Sequence, residues 1–425
     1  MSLSPPSPAI LRSRGAIITA LGLTQILAWG SSYYLPAVIA PAVSSDTGWP
    51  LAWVVGGLSL GLLTAGLISP RVGSSIERHG GRNVLAFSAG CIGLGQIGLA
   101  VAPNLAAYIA AWLVIGLGMG AGLYDAAFAT LGRHYGHGAR SAITMLTLFG
   151  GLASTICWPI SALLLGEVGW RGTCLVYAAF QLAIALPLYL VILPREPPQP
   201  AVGPGLPAGP GLPVAPGLPV APGLKEATPA REGNADPSIM IVLAATLTLA
   251  AVISSTLSVH LLTILQGSGM ALAAAVGLGA LVGPSQVAAR AIEMTIARYH
   301  HPIFTKFASV TFVAIGVSTL WAGMPIIPLA LGFYGVGIGL ESIARGTLPL
   351  ALFGSNGYAR LMGRLAMPSL IAQAAAPSAG ALLLERFGPH GTLAALSGLA
   401  LANVILACGL GWRMLRRRQS QVQTR

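Results

Sequence analysis

Three ionisable side chains, Asp125, Glu341 and Arg345, lie inside long apolar stretches of this sequence, where a charge is costly and so marks a coupling or binding role. Glu341 and Arg345 are spaced i, i+4 and would share one face of a helix, where they can pair. Asp125 occupies the corresponding depth of an earlier stretch. An arginine stays charged, so Arg345 needs a partner whenever its surroundings are dry. Exchange of that partner among Glu341, Asp125 and an anionic ligand would link binding to closure. A second group is polar and aromatic. In TQILAWGSSYYLPAVIAP, Gln25 and Trp29 are i, i+4, Tyr33 continues their face and Tyr34 is displaced by about 100°. Gln286 follows Gly283-Pro284, where proline frees a backbone carbonyl. Ser254, Ser255, Ser258 and His260 form a further polar set, with His260 read as a hydrogen-bonded packing residue. Hydrogen-bonders among aromatics suit a small organic ligand. The competing reading puts the three charges at a membrane interface and the tyrosines in its aromatic belt. No nucleophile elbow, phosphate-binding loop, zinc spacing or dinucleotide fingerprint is present. The expectation is therefore no enzyme, no cofactor and no metal.

The helices that hold these residues can be read from where charge is missing. Only 8% of the 425 residues are charged and 55% are apolar. Twelve apolar runs stand near residues 16–40, 51–70, 83–102, 105–131, 142–165, 171–193, 239–263, 270–289, 303–323, 326–347, 365–384 and 391–412. Each has about the twenty residues that cross a bilayer as a helix, and within lipid only helices or closed barrels satisfy the backbone. The fold class expected is an all-α membrane protein with twelve transmembrane helices. The first run has no cleavage site behind it and reads as a retained helix. The net charge of +12 is explained by topology: alternation from an inside N-terminus puts 21 of the 23 basic residues on one side, Arg290, Arg298 and Lys306 among them, and leaves only Arg171 and Arg386 opposite. Both termini are then cytoplasmic, in the inner (cytoplasmic) membrane, and no nucleic-acid partner is expected. Arg416–Arg418 reads as an anchor on anionic lipid. Cys91, Cys157, Cys174 and Cys408 all fall in apolar runs and read as packing residues.

One long stretch breaks the apolar pattern. Residues 196–237 are rich in proline and glycine and carry LPVAPG twice in tandem, which is the composition of an extended cytoplasmic linker. It separates a six-helix half at 1–195 from another at 238–425. The halves are related: GLGMGAG at 116–122 answers GVGIGLE at 335–341, and ALLLGEVGWRGT at 162–173 answers ALLLERFGPHGT at 381–392, both at an offset of 219 residues. Parallel six-helix repeats occur in one large class of secondary transporter.

Between the second and third runs the chain reads GSSIERHGGRNVL, from Gly73 to Leu85. This resembles the signature loop Gly-x-x-x-Asp-Arg-x-Gly-Arg-Arg of the major facilitator superfamily, matched by Gly73, Glu77, Arg78, Gly80 and Arg82, with Glu77 in the place of the aspartate. Gly169-Trp170-Arg171 before run six extends the likeness. In the second half only Ile292-Glu293 and Arg298 echo the loop. The resemblance implies the fold of that superfamily, with two pseudo-symmetric halves, a gating role for the loop and a central cavity lined by the first helix of each half. Many proton-coupled members carry an arginine shortly before the glycine cluster of span four; Val114 stands there instead.

The reading that results is a secondary active transporter moving a small organic solute by alternating access. The gating motif is Gly73, Glu77, Arg78, Gly80 and Arg82; the coupling candidates are Asp125, Glu341 and Arg345; the cavity candidates are Gln25, Trp29, Tyr33 and Gln286. Its expected partners are a small-molecule substrate and the lipid bilayer, with a coupling proton or ion left open, and the expected state is a monomer. Two alternatives stand beside it: efflux of a toxic compound such as a drug or thiophilic metalloid, and a transporter-like sensor that moves no solute.

Overall fold

The computed structural model describes residues 13–195 and 237–423. The expected linker lies outside the described residues except for Pro237. The described residues form helices joined by short connections, without a strand. Ten helical stretches are long and apolar enough to cross a membrane. We label them α1 (Arg14–Tyr34), α2 (Leu51–His79), α3 (Gly81–Val101), α4 (Leu105–Tyr135), α5 and α6 (the two arms of Ala139–Ile192), α7 (Pro237–Gly267), α8 (Ala273–Tyr299), α9 (Pro302–Trp321), α10 (Ile327–Phe353), and α11 and α12 (the two arms of Tyr358–Arg416). The arms meet at Gly169 and Gly388, where φ is 67° and 65° in otherwise α-helical chain. A residue with a side chain resists that left-handed conformation, so glycine fixes both corners. Thr173 and Thr392 each donate to the carbonyl of their corner glycine, at 2.8 and 2.9 Å. Counted at these corners the ten stretches comprise twelve segments. Beyond Tyr34, α1 continues into the helix Pro36–Thr47.

The repeat seen in the sequence is also a repeat of packing. Ser88 Oγ of α3 donates to Gly118 O of α4 at 2.7 Å, and Ser309 Oγ of α9 donates to Gly337 O of α10 at 2.9 Å. A Cβ at Gly118 would sit 2.9 Å from Ser88 O, and one at Gly337 would sit 2.8 Å from Ser309 O. The glycines therefore let each backbone pair touch, which is how helices associate in lipid, where burial of apolar surface gives no drive. The α2–α4 pair has the same device: a Cβ at Gly120 would meet Ala65 O, and in α8–α10 a Cβ at Gly339 would meet Gln286 O.

Two basic residues counted among the charges of one side are buried within helices. Arg290 lies within the helix Val282–Ile296 and is 4% exposed; Lys306 lies one turn into α9 and is 0% exposed. The α-helix runs past the end of the apolar run in one case and begins early, at Pro302, in the other. A first-turn proline is compatible with a helix because its missing N–H has no partner to lose.

Substitution of either glycine by valine should prove equivalent across the repeat. Gly118→Val and Gly337→Val are each expected to cost about 1–3 kcal/mol through overpacking, read as a lowered apparent melting temperature in fluorescence-detected size exclusion. Gly166→Val, where a Cβ meets open space, should leave it unchanged.

Candidate functional site

One face of the bundle carries Arg14, the α2–α3 turn and Arg416, and is called the basic face here. The turn comes from Gly80, whose φ of 80° ends α2 and lets α3 begin at Gly81. Glu77, one turn earlier, accepts hydrogen bonds from the backbone N–H groups of Gly357 and Ala359, both at 3.2 Å. These are free donors at the N-terminus of α11, where a carboxylate is favoured. Gly73 lies against the same helix: a Cβ there would stand 3.0 Å from Gly363 Cα. Arg82 clasps Leu190 O of α6 through Nε, at 2.9 Å, and through a second guanidinium nitrogen. Arg78 is exposed. The loop thus does two jobs: Gly73 and Glu77 reach the second six segments, and Arg82 ties down the first six. Trp170 and Arg171, by contrast, both donate to Asp46, which joins α1 to α6. Those bonds, the tryptophan's first, hold the Asp46 carboxyl below its ordinary range.

The three membrane charges are brought to one place, with a fourth. Arg345 of α10 forms a bidentate pair with Asp125 of α4, Nε to Oδ1 at 2.8 Å and the second nitrogen to Oδ2 at 2.7 Å. Their side chains are 19% and 16% exposed. Glu341 takes Lys306 Nζ at 2.6 Å and Ser309 Oγ at 2.7 Å. The i, i+4 pairing of Glu341 with Arg345 is thus replaced by two pairs that reach off the helix. Asp125 owes its place to a break in α4 at Leu123, whose ψ of −172° leaves Asp125 in the first turn of Tyr124–Tyr135. Gln25 Nε2 donates to the Gly122 carbonyl at this break, at 2.6 Å. Gln25 is fully buried, so it caps the break from α1.

Next to Asp125, Tyr124 joins an aromatic cluster. Its ring lies 5.1 Å from Trp29, and Trp29 lies 5.3 Å from Tyr33 and 6.0 Å from Tyr34. Trp158 of α5 meets Tyr34 edge-on at 5.9 Å. In the second six segments Ser255 Oγ donates to Gln373 O at 3.2 Å. Trp29 Nε1 and the Tyr334 hydroxyl are buried with no hydrogen-bond partner. His260 bonds to Pro377 O at 2.8 Å, a packing contact.

Arg290 reaches the cluster from α8 at Thr147 O, which also accepts from the Tyr124 hydroxyl at 3.3 Å. Its hydrogen-bond partners are the Ser342 hydroxyl at 3.0 Å, Gln286 Oε1 at 3.2 Å, Thr147 O of α5 at 3.2 Å and Gly339 O at 3.4 Å. All are neutral. Glu293, three residues on, is engaged by Thr305 at 2.6 Å and by His300 at 3.5 Å. Sequence reasoning missed Arg290 and Lys306 because both stand at the ends of apolar runs. The usable signal was position: Arg290 is i+4 from Gln286 with apolar residues on either side of it.

The family model described as Major Facilitator Superfamily matches residues 21–348. A multidrug resistance protein B homolog of Mycobacterium tuberculosis is 32% identical over 149 residues, which is 35% of this chain and 27% of that protein. The chain thus spans about a quarter of that relative's length. Among solved structures, the human organic anion transporter MFSD10 superposes with a TM-score of 0.70 at 16% identity, covering 95% of this chain and 100% of that one. A bacterial homologue of the iron transporter ferroportin in an outward-facing state superposes at 0.69, with 15% identity and 93% and 99% coverage. At such identity the two structures establish the fold alone.

Breaking one partner of the Asp125–Arg345 pair should cost far more than removing both. Each single change, Asp125→Asn or Arg345→Met, leaves a buried charge unmatched, at about 3–5 kcal/mol. The double variant should recover at least about 2 kcal/mol of that, a coupling energy typical of contacting residues. The measurement is the labelling rate of a cysteine placed in the α4–α10 interface from the basic face. It should rise in the singles and fall back in the double.

Proposed function

This chain belongs to the Major Facilitator Superfamily, and on that premise we propose that it is a secondary active transporter for a small organic anion, working by alternating access. The observation that carries the anion is Arg290: a buried guanidinium whose partners among the described residues are all neutral. An ion without a counter-ion is expensive in a low-dielectric bundle, and an anion entering the aromatic cluster would relieve that cost. The aromatic rings would hold the solute's uncharged part.

The gating and coupling roles rest on the same geometry. With the basic face as the cytoplasmic one, Glu77 on α11, Asp125 on Arg345 and Arg290 on Thr147 O form an inner latch between two rigid halves, 1–195 and 238–425, tethered by residues 196–237. Tyr124 and Asp125 are consecutive, so a solute pressing on the tyrosine acts directly on the clasp. Ser342, which Arg290 touches, lies between Glu341 and Arg345. Anion binding at Arg290 would therefore bias the whole charge set, and a proton taken up at Glu341 or Asp125 would supply coupling. Arg345 would then exchange partners as the latch opens. The working unit is one chain in the cytoplasmic membrane.

A second reading, efflux of a drug-like compound, is favoured by the local likeness to the multidrug resistance homolog. Both are transport of a small solute; the sign of the solute's charge separates them. Purified protein in liposomes should take up small carboxylates. Arg290→Gln should lower kcat/KM by at least about thirtyfold, as expected when a buried charge partner worth 2–5 kcal/mol is truncated. Arg290→Lys should retain a part of it, having charge without the planar fork. Transport of organic cations, unaffected by Arg290→Gln, would favour the drug-efflux reading.

A further inference from the structure

Helix α1 is not α-helical throughout. Residues Gly30–Tyr34 form a π-helical turn, and Gln181–Ala185 in α6 form a second. A π-turn accommodates one extra residue, so the chain beyond it slips round the axis by about one residue, roughly 100°. That slip decides the fate of Tyr34. On an uninterrupted α-helix Tyr34 points away from the Trp29–Tyr33 face. Here Trp29 meets both tyrosines, and Tyr34 also meets Trp158 of α5 edge-on.

A π-turn loosens the backbone ladder, and in a membrane interior the groups it releases need partners. One glutamine supplies such a partner at Ser31, and a second braces the same residue's hydroxyl. Gln96 of α3 donates through Nε2 to Ser31 O, and Gln181, the first residue of the second π-turn, donates through Nε2 to Ser31 Oγ at 2.8 Å. Ser31 passes its own proton to Leu27 O at 2.7 Å. Ser31 and Gln96 are fully closed off and Gln181 is 1% exposed. From the other side, a Cβ at Gly30 would lie 2.8 Å from Cys157 Cβ, so the turn is seated against α5. At the offset of 221 that pairs Ser88 with Ser309, Gln96 corresponds to Val317, and at the offset of 219 Ser31 and Gln181 correspond to Ala250 and Ala400. The polar clamp belongs to the first six segments alone.

We infer that Gln96 and Gln181 are positioning residues which, by holding the π-turn of α1 at Ser31, turn Tyr34 into the aromatic cluster of Trp29 and Trp158 and so shape the part of the site that meets the solute's uncharged end. The final clause rests on the transport reading; the geometric claim does not.

The test uses full-length protein with Cys91, Cys157, Cys174 and Cys408 changed to serine. Ser154 stands one turn before Trp158, whose ring lies 5.9 Å from that of Tyr34, so Tyr34→Cys with Ser154→Cys should be joined rapidly by a two-carbon bis-methanethiosulfonate. Adding Gln96→Leu or Gln181→Leu should slow the joining by about tenfold or more, the cost of a buried hydrogen bond lost. Ser31→Ala, which removes one hydroxyl from the clamp and little else, should slow it several-fold and keeps the test open where a leucine variant does not fold. Absence of joining in the parent, or equal rates in all folded variants, overturns the inference. Uptake of benzoate and acetate is measured alongside: Gln181→Leu should raise KM for benzoate and leave kcat in place, with little change for acetate. A parent that takes up neither anion sinks the transport reading and leaves the joining rates to decide the clamp.

Discussion

A charge inside a helical bundle in lipid has to be matched, and this constraint organises the molecule. Lys306 is matched by Glu341, Arg345 by Asp125, and Glu77 by the open end of α11. Arg290 is met, among the described residues, by neutral oxygens. Everything proposed about function descends from that asymmetry. The matched charges hold the basic face together, and the unmatched one asks for a ligand. Replacement of such pairs by apolar residues often stabilises a protein, so their presence points to a latch that has to open again.

The supporting structure serves the placing of these few groups. Small residues bring α3 against α4 and α9 against α10 so closely that serine hydroxyls reach neighbouring carbonyls. Interruptions in the helices then aim the chemistry. The break at Leu123 sets Asp125 at a helix start, the π-turn at Gly30–Tyr34 turns Tyr34 inward, and the corners at Gly169 and Gly388 divide the two longest helical stretches. Each interruption frees backbone groups, and a buried side chain answers: Gln25 for Gly122, Gln96 for Ser31, Thr173 and Thr392 for the corners. Polar residues in the apolar runs are therefore of two kinds, those that repair the backbone and those proposed to meet the solute.

That division explains what was legible in the sequence. Hydropathy reveals an all-helical membrane bundle because lipid imposes the length and apolar character of each segment. The 219-residue offset reveals the repeat, since Gly118 and Gly337 have the same neighbours. The signature loop was legible as residues in fixed spacing, and Asp125, Glu341 and Arg345 as charges in apolar surroundings. Pairing was not: spacing along one helix offers Glu341 to Arg345, but Lys306 and Asp125 arrive from other helices and bind better. Gln25 reads like a cavity residue and instead caps a break that no propensity scale marks. Tyr34 reads onto the wrong face because a π-turn has no sequence signature in an apolar helix. Arg290 is hidden because a charge at the end of an apolar run ordinarily marks the end of a span.

The central claim is that Arg290 lacks a counter-ion which a small organic anion provides. Ser342 Oγ stands 3.0 Å from Arg290 Nε, so Ser342→Asp would supply a carboxylate from within. The direct measurement is the thermal shift of purified protein on titration with small carboxylates, in the parent and in Ser342→Asp. The account predicts an anion-dependent rise in the parent, and a variant that is already as stable as the liganded parent and does not respond. An equal anion response in both proteins would contradict it.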